Sequence, residues 1–245
     1  MPLTAVVLAA GAGTRLGPLA LRQSKPMIAI AGQPMIGWIL SRLRAAGIDR
    51  IVVVGHPSDR ALAAYLESAG GGVQLVLQPE RAGIADAVRR ALPVVAKEDG
   101  YLACACDSLI AAADIARIAA CGRDCRGAAA VGIIDMGAAA TVSRSAVVVA
   151  HGRVMRIVEK PAPGSIESSV VALPVYWLPT AMRTYIEGVR PIGSERYLTT
   201  ALSDFIAGGG VVLAVEIGER LEVTTAADIQ RVETLLRQQA QAARQ

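Results

Sequence analysis

The chain has 245 residues, with 25 basic against 21 acidic side chains, a net charge of +4, 53% apolar residues and only 3% aromatic ones. That length suits one α/β domain whose core is built from Ala, Val, Leu and Ile. No apolar run reaches the roughly 18 residues of a membrane span, the start has no basic n-region, and no Lys/Arg block is interleaved with aromatics; membranes and nucleic acid are thus excluded as partners and a cytoplasmic protein is expected.

The predicted elements alternate. A short apolar strand over 5–8 leads into a glycine-rich loop. A helix over 35–46 stops at Gly47, and a second strand with a fully buried look follows over 50–54. Ser58 opens a helix that runs to residue 69 and ends in Gly70-Gly71-Gly72. A third strand over 73–77, a helix over 84–92 and a fourth strand over 101–106 continue the pattern. Short apolar strands separated by helices argue for a parallel sheet with helices on both faces. After residue 128 the texture changes, with short strands over 128–134, 145–150 and 154–157 between Gly turns, read as a mixed sheet beside the first. Helices near 179–186 and 198–207, a strand over 211–216 and a polar helix from Ala226 complete the chain. The expectation is one domain over 1–245 with two lobes, divided near residue 127. Cys104, Cys106, Cys121 and Cys125 read as buried or inert thiols, not as a zinc site.

The first strand runs straight into Ala9-Ala10-Gly11-Ala12-Gly13-Thr14-Arg15-Leu16, and Lys25-Pro26-Met27 follows. A loop with almost no side chains lets backbone N–H groups approach an anion, and here it delivers Arg15 and Lys25 to the same place. Leu16 stands where a Rossmann fingerprint needs its third glycine, and Gly13-Thr14-Arg15 stands where a Walker loop needs Gly-Lys-Ser/Thr. Ligands gather at the carboxyl ends of strands in an open parallel sheet. Strand three ends there at Gln78-Pro79 and strand four at Cys106-Asp107-Ser108. Asp107 follows an apolar strand at a site where a charge has no packing purpose, and triphosphates travel with Mg²⁺, which needs carboxylate oxygens. The alternative for Asp107 is a helix N-cap, a role for which Asp114 competes. His56 and His151 fall in loops and are expected to be non-catalytic.

The string from Leu8 to Leu16, with Pro18-Leu19 and Lys25-Pro26-Met27, resembles the signature of the sugar-1-phosphate nucleotidyltransferases, the nucleotide-sugar pyrophosphorylases. That resemblance implies a three-layer α/β/α, Rossmann-like (GT-A-like) fold with a mostly parallel central mixed sheet. It also implies a nucleotide-binding lobe to about residue 127, an acceptor-binding lobe over about 128–229 and a C-terminal helix to residue 245. Leu8, Ala10, Gly11, Gly13 and Thr14 are then expected to hold the nucleotide, with Arg15 and Lys25 catalytic. Gln78-Pro79 and Gly83 look like the base-recognition loop, since a Gln amide matches the imide edge of uracil or thymine.

Asp107 matches the family's metal-binding Asp. Its partner would be Glu222, in Glu222-Val-Thr-Thr-Ala-Ala-Asp228 where relatives show Asp-x-Gly-Thr-Pro-x-Asp. The departures are Glu222 itself, Thr224 for glycine and Ala226 for proline, so a solvated loop carboxylate stays open for Glu222. Asp228 reads as first-turn charge on a helix dipole. Glu159-Lys160-Pro161 matches the segment in which Glu contacts sugar hydroxyls and Lys holds the acceptor phosphate, and Glu195 stands in a Glu-x-x-Leu-Thr segment near the sugar. Pro174 replaces a glycine that normally approaches the sugar, which puts a glucose-like acceptor in doubt. The reaction implied is Mg²⁺-dependent transfer from an NTP, UTP or dTTP favoured, to a sugar 1-phosphate, giving an NDP-sugar and pyrophosphate. A cytidylyltransferase for an amino-alcohol phosphate or phosphonate, and a catalytically lapsed nucleotide-binding regulator, are the alternatives; a homo-oligomer stays open.

Overall fold

The computed structural model describes residues 3–242. Strand β1 (Thr4–Leu8) is followed by a single turn at Thr14–Leu16, helix α1 (Pro18–Arg22), a turn at Lys25–Met27 and the hairpin of β2 (Ala29–Ile30) and β3 (Gln33–Pro34). Then α2 (Met35–Ala45), β4 (Arg50–Gly55), α3 (Arg60–Ser68), β5 (Val73–Leu77), α4 (Ile84–Ala91) and β6 (Gly100–Ala105) alternate as predicted. Next come β7 (Ser108–Ile110), α5 (Ala112–Asp124), β8 (Ala129–Asp135), α6 (Ala138–Thr141), β9 (Ser145–Ala150) and β10 (Arg153–Glu159). The chain closes with β11 (Val170–Pro179), α7 (Arg183–Gly188), α8 (Leu198–Ala207), β12 (Val212–Glu216), β13 (Arg220–Glu222) and α9 (Ala226–Ala242).

Among the described residues a nine-stranded sheet runs in the order β5-β4-β1-β6-β11-β8-β12-β10-β9. The first four strands pair in parallel. β1 and β6 are buried along almost their whole length, as strands covered by helices on both faces must be. From β11 onward the pairing is antiparallel except between β8 and β12, so the parallel character belongs to the first half. Residues of α2, α3 and α5 build the core on one face and those of α4, α7 and α8 the core on the other, which gives the expected α/β/α layering.

Several elements lie outside the predicted set. β11 sits at the middle of the sheet, between β6 and β8, although Pro174 and Pro179 read as strand breakers. Its register to β8 passes from Ala172↔Ile133 to Tyr176↔Val131, four steps against two. The N–H that Pro174 lacks therefore falls where the ladder is already interrupted by a bulge. The helix expected near 179–186 is present, as a 3-10 turn at Thr180–Met182 that runs directly into α7, and only Pro179 still belongs to β11. Helix α5 and the strands β7 and β13 were not among the expected elements either; strands of three residues carry no periodic signal. The cap of α3 is Asp59 and not Ser58: the Asp59 carboxylate accepts from Leu62 N at 3.0 Å.

A third, smaller core positions the loops. Leu16, Ile28, Leu109, Leu221 and Val223 meet there, covered by Val232 and Leu236 of α9. Each of the first five lies one to three residues from Arg15, Lys25, Asp107 or Glu222. Burial of these apolar neighbours fixes the charged residues beside them.

Candidate active site

The glycine loop ends at Gly13, which stands in the left-handed region at φ 66° and starts the Thr14–Leu16 turn. A Cβ on Gly13 would lie 3.0 Å from the Cβ of Lys25, so the loop backbone rests directly on the Lys25 stem. Only glycine meets both demands. Leu16 is buried in the third core, which leaves Thr14 and Arg15 exposed on the outer side of the turn. Gly11 is exposed with open space around it. Leu8, by contrast, is buried, and its carbonyl accepts from Cys106 N at 3.1 Å, so it anchors the strand end. The Ala10 carbonyl accepts from Arg81 Nε at 3.0 Å. Beside this loop lies a cleft of about 330 Å³ bounded by Ala10, Gly11, Ser24, His56 and Arg81, among others.

Lys25 is buried, and its ammonium donates to Asp107 Oδ2 at 2.5 Å. The helix-cap alternative for Asp107 does not hold, because Asp107 lies in the turn between β6 and β7 and α5 starts only at Ala112. Asp114 is not a cap either; its carboxylate takes Arg117 and the Gly218 N–H. β7 and β13 pair antiparallel with Glu222 opposite Ser108, and Val223 N donates to the Asp107 carbonyl at 3.1 Å. The backbones that bear Asp107 and Glu222, from distant parts of the chain, are thereby brought together. Glu222 is no free loop carboxylate, since its Oε2 accepts from Arg144 Nη2 at 3.2 Å. Burial lowers the Arg144 pKa, and the charges of Asp107 and Asp228 oppose that shift. Among the described residues no group of three or more His, Cys, Asp or Glu could hold a metal. The hard oxygens of Asp107 and Glu222, each now held by a cation of the protein, are of the kind that suits Mg²⁺, which keeps waters and phosphate oxygens as its remaining ligands.

Gln78 is buried at the end of β5, and its amide nitrogen donates to the Gly83 carbonyl at 3.2 Å and to Asp86 Oδ2 at 3.0 Å. Burial would raise the Asp86 pKa, but hydrogen bonds from Gln78 and Arg89 outweigh it and leave it lowered. Gly83 has φ 93°, and a Cβ there would lie 2.5 Å from the Arg196 carbonyl oxygen. Its glycine is thus required by a second segment of the protein's own backbone. Arg196 N donates to the Ala82 carbonyl at 2.7 Å and Ala85 N to the Arg196 carbonyl at 2.9 Å, so the 78–85 loop and the 195–197 segment are stapled together. His56 bridges the ends of β4 and β5, with Nε2 3.1 Å from the Pro79 carbonyl and Nδ1 2.7 Å from Ser58 Oγ. The carbonyl can only accept, so Nε2 carries the proton, and both ring nitrogens are engaged within the protein.

In the second half of the chain, Glu159 ends β10 with Oε2 accepting from Ser145 Oγ at 2.5 Å and from Thr199 Oγ1 at 3.0 Å. Lys160 is exposed and has φ 42°, uncommon for a residue with a side chain, and its N–H donates to the Arg144 carbonyl at 2.9 Å. Its ammonium reaches Tyr197, 3.4 Å from the hydroxyl and 5.1 Å from the ring centroid. Glu195 is exposed and hydrogen-bonds the same Tyr197, whose pKa is raised by burial first and then by Glu195, against Lys160. Glu159, Lys160 and Glu195 therefore share one neighbourhood at the start of α8. Asp228 proves more than a dipole charge: its Oδ2 accepts from the N–H and hydroxyl of both Thr224 and Thr225 at 2.8–3.0 Å. This capping box starts α9. Burial would raise the Asp228 pKa, but those bonds hold it far below the usual range.

Residues 4–215 match the family described as Nucleotidyl transferase. The chain belongs to that family. The bifunctional protein GlmU of Pelotomaculum thermopropionicum is 30% identical over 233 residues, 91% of this chain and 49% of that protein. An N-acetylmuramate alpha-1-phosphate uridylyltransferase of Neisseria meningitidis serogroup B is 37% identical over 100 residues, 38% of this chain and 42% of that one. The chain spans about half the length of the curated relatives that it matches along most of its own. A solved UDP-glucose pyrophosphorylase complexed with UDP-glucose shares the fold, with a TM-score of 0.85 at 18% identity over 98% of this chain and 100% of that one.

Arg144, Arg81, Ser145 and Tyr197 are site neighbours that sequence reasoning did not single out. Tyr197 and Thr199 fall inside the Glu195–Thr199 segment, so their place was within reach. Arg144 offered only one signal, a basic side chain just before a predicted strand.

Proposed function

We propose that the protein transfers the nucleotidyl group of UTP or dTTP to a sugar 1-phosphate, releasing pyrophosphate and an NDP-sugar, with Mg²⁺ as cofactor. The observation that carries this reading is the assembly of Lys25, Asp107 and Glu222, from three separate stretches of chain, beside the Gly13 turn. In-line attack of an acceptor phosphate oxygen on the α-phosphorus asks for no covalent work by the protein. It asks for alignment of two anions and neutralisation of their repulsion. The exposed backbone at Gly11 and the Gly13 turn would cradle the triphosphate, with Arg15 and Lys25 meeting the developing negative charge. Asp107 and Glu222 would hold the metal; bound there, Mg²⁺ polarises phosphoryl oxygens and offsets their charge. Lys160 would anchor the incoming phosphate, and Glu159 and Glu195 would accept from sugar hydroxyls.

The reading of the base rests on Gln78. Its amide nitrogen is taken by two acceptors, Gly83 and Asp86, and its side chain is buried; a base that reached it at the end of β5 would meet the amide oxygen. An acceptor suits the N3–H of uracil or thymine and not the N3 lone pair of cytosine. The uridylyltransferase relative and the fold neighbour with UDP-glucose support the same choice. Pyrophosphate release is measured with each NTP against a panel of sugar 1-phosphates, in Mg²⁺ or EDTA. Release is expected with UTP or dTTP and only with the metal. Turnover with CTP and an amino-alcohol phosphate would overturn the sugar assignment, and silence under every combination would favour a nucleotide sensor.

A further inference from the structure

The carboxylate pair carries its own counter-ions. Lys25 Nζ lies 2.5 Å from Asp107 Oδ2, with the side chains 11% and 18% exposed. Arg144 Nη2 lies 3.2 Å from Glu222 Oε2, with the side chains 30% and 12% exposed. The Arg144 guanidinium also interacts electrostatically with Asp107, so it stands in the field of both carboxylates. Asp228 lies in the same field, so Arg144 faces three carboxylates while Lys25 pairs with one of them. The segment that bears Arg144 is fixed as well: its carbonyl accepts from Lys160 N at 2.9 Å, and the adjoining Ser145 hydroxyl donates to Glu159. Residue 144 thus meets the metal-side carboxylates with its guanidinium and the acceptor-side Glu-Lys pair through its backbone.

This arrangement sets a condition on metal entry. A bare divalent cation on these carboxylates competes with both ion pairs, and displacing the ammonium or the guanidinium leaves a charge uncompensated in a partly buried site, which is costly. A cation that arrives on a triphosphate brings phosphate oxygens to receive both displaced groups.

We propose that Arg144 is a positioning residue that gates metal loading: it occupies Glu222 in the nucleotide-free protein, discriminates against the bare divalent cation, and passes to phosphate oxygens when the metal arrives with the nucleotide. The inference rests on the carboxylate assignment made under the proposed function.

Mn²⁺ binding, read from the electron paramagnetic resonance of the free ion, tests it without and with the α,β-methylene analogue of UTP. The wild type is expected to hold Mn²⁺ at least about tenfold more tightly when the analogue is present, and Arg144→Gln to tighten binding of Mn²⁺ alone by about tenfold, the size of an ordinary coupling between two binding events. Arg144→Lys should restore the wild-type pattern. A merely structural Arg144 would show weaker Mn²⁺ binding in both conditions, in step with a lower Tm, and that result would overturn the inference. An affinity lowered by Asp107→Asn yet unmoved by Arg144→Gln would overturn this inference alone. An affinity unmoved by Asp107→Asn would remove the carboxylate assignment, and both readings with it.

Discussion

The central sheet and the small third core are built on different terms. The sheet rests on strands of five to ten residues, sandwiched between helices, with side chains such as Val6, Val53 and Leu102 at 0% exposure. The third core is assembled from two- and three-residue strands, two single turns and one face of α9, drawing on residues from Leu16 to Leu236. Nearly all of its loop-borne apolar residues adjoin a charged site residue. The sheet holds most of the buried apolar area and hence most of the stability; the third core converts a little of that stability into alignment.

The difference can be broken or sharpened by mutation. The largest effect is expected from Arg15→Ala, which removes an exposed charge that no core depends on. If Arg15 meets charge that develops during transfer, kcat should fall by about 10²–10³ with KM less affected. Steady-state kinetics that retained near-full turnover would return Arg15 to the solvated surface.

Leu43→Ala and Leu221→Ala make a matched pair, one in the core of the sheet and one in the third core. Each should cost about 2–5 kcal/mol in urea unfolding. Only Leu221→Ala should also lower kcat in the fraction that remains folded, because Leu221 precedes Glu222. Equal kinetic losses in the two variants would erase the division of labour.

Gly83→Ala addresses the staple between loop and segment. Its Cβ would meet the Arg196 carbonyl oxygen at 2.5 Å, so both backbones must shift. KM for the nucleotide and for the acceptor should rise together, by about tenfold, as misplacement of bound groups predicts. A rise confined to the nucleotide would show the two segments to be independent.

The smallest effect belongs to Asp228, whose side chain is 21% exposed. Asp228→Ala removes the α9 capping box and should cost about 1 kcal/mol. The carboxyl is depressed in the fold, so its contribution is complete above the ordinary aspartate pKa of about 3.9 and fades as pH falls below it. The stability gap between wild type and variant should be flat above about pH 5 and narrow in acid. A gap that widened in acid would contradict the carboxylate's role.

Local chemistry alone carried much of the first half of the chain. The strands over 5–8 and 50–54 were legible because a buried parallel strand is apolar along nearly its whole length. The part-exposed edge strand over 73–77 was legible as a short apolar run between Gly72 and Gln78-Pro79, and Gly13 because a turn there leaves no room for a Cβ. Asp107 was legible as a charge placed at the end of an apolar strand. Glu222 emerged only through its order in a family pattern, since β13 has three residues and no periodicity of its own. β11 was hidden by its prolines, whose cost vanishes where the ladder to β8 is interrupted.

The contacts of Arg144 with Glu222 and of Gly83 with Arg196 had no local trace whatever. Period and composition report whether a residue is buried, which is a property of its own segment. Which two segments meet depends on strand register and on closure of loops across the whole chain, and those are settled only when all the competing burial is satisfied at once.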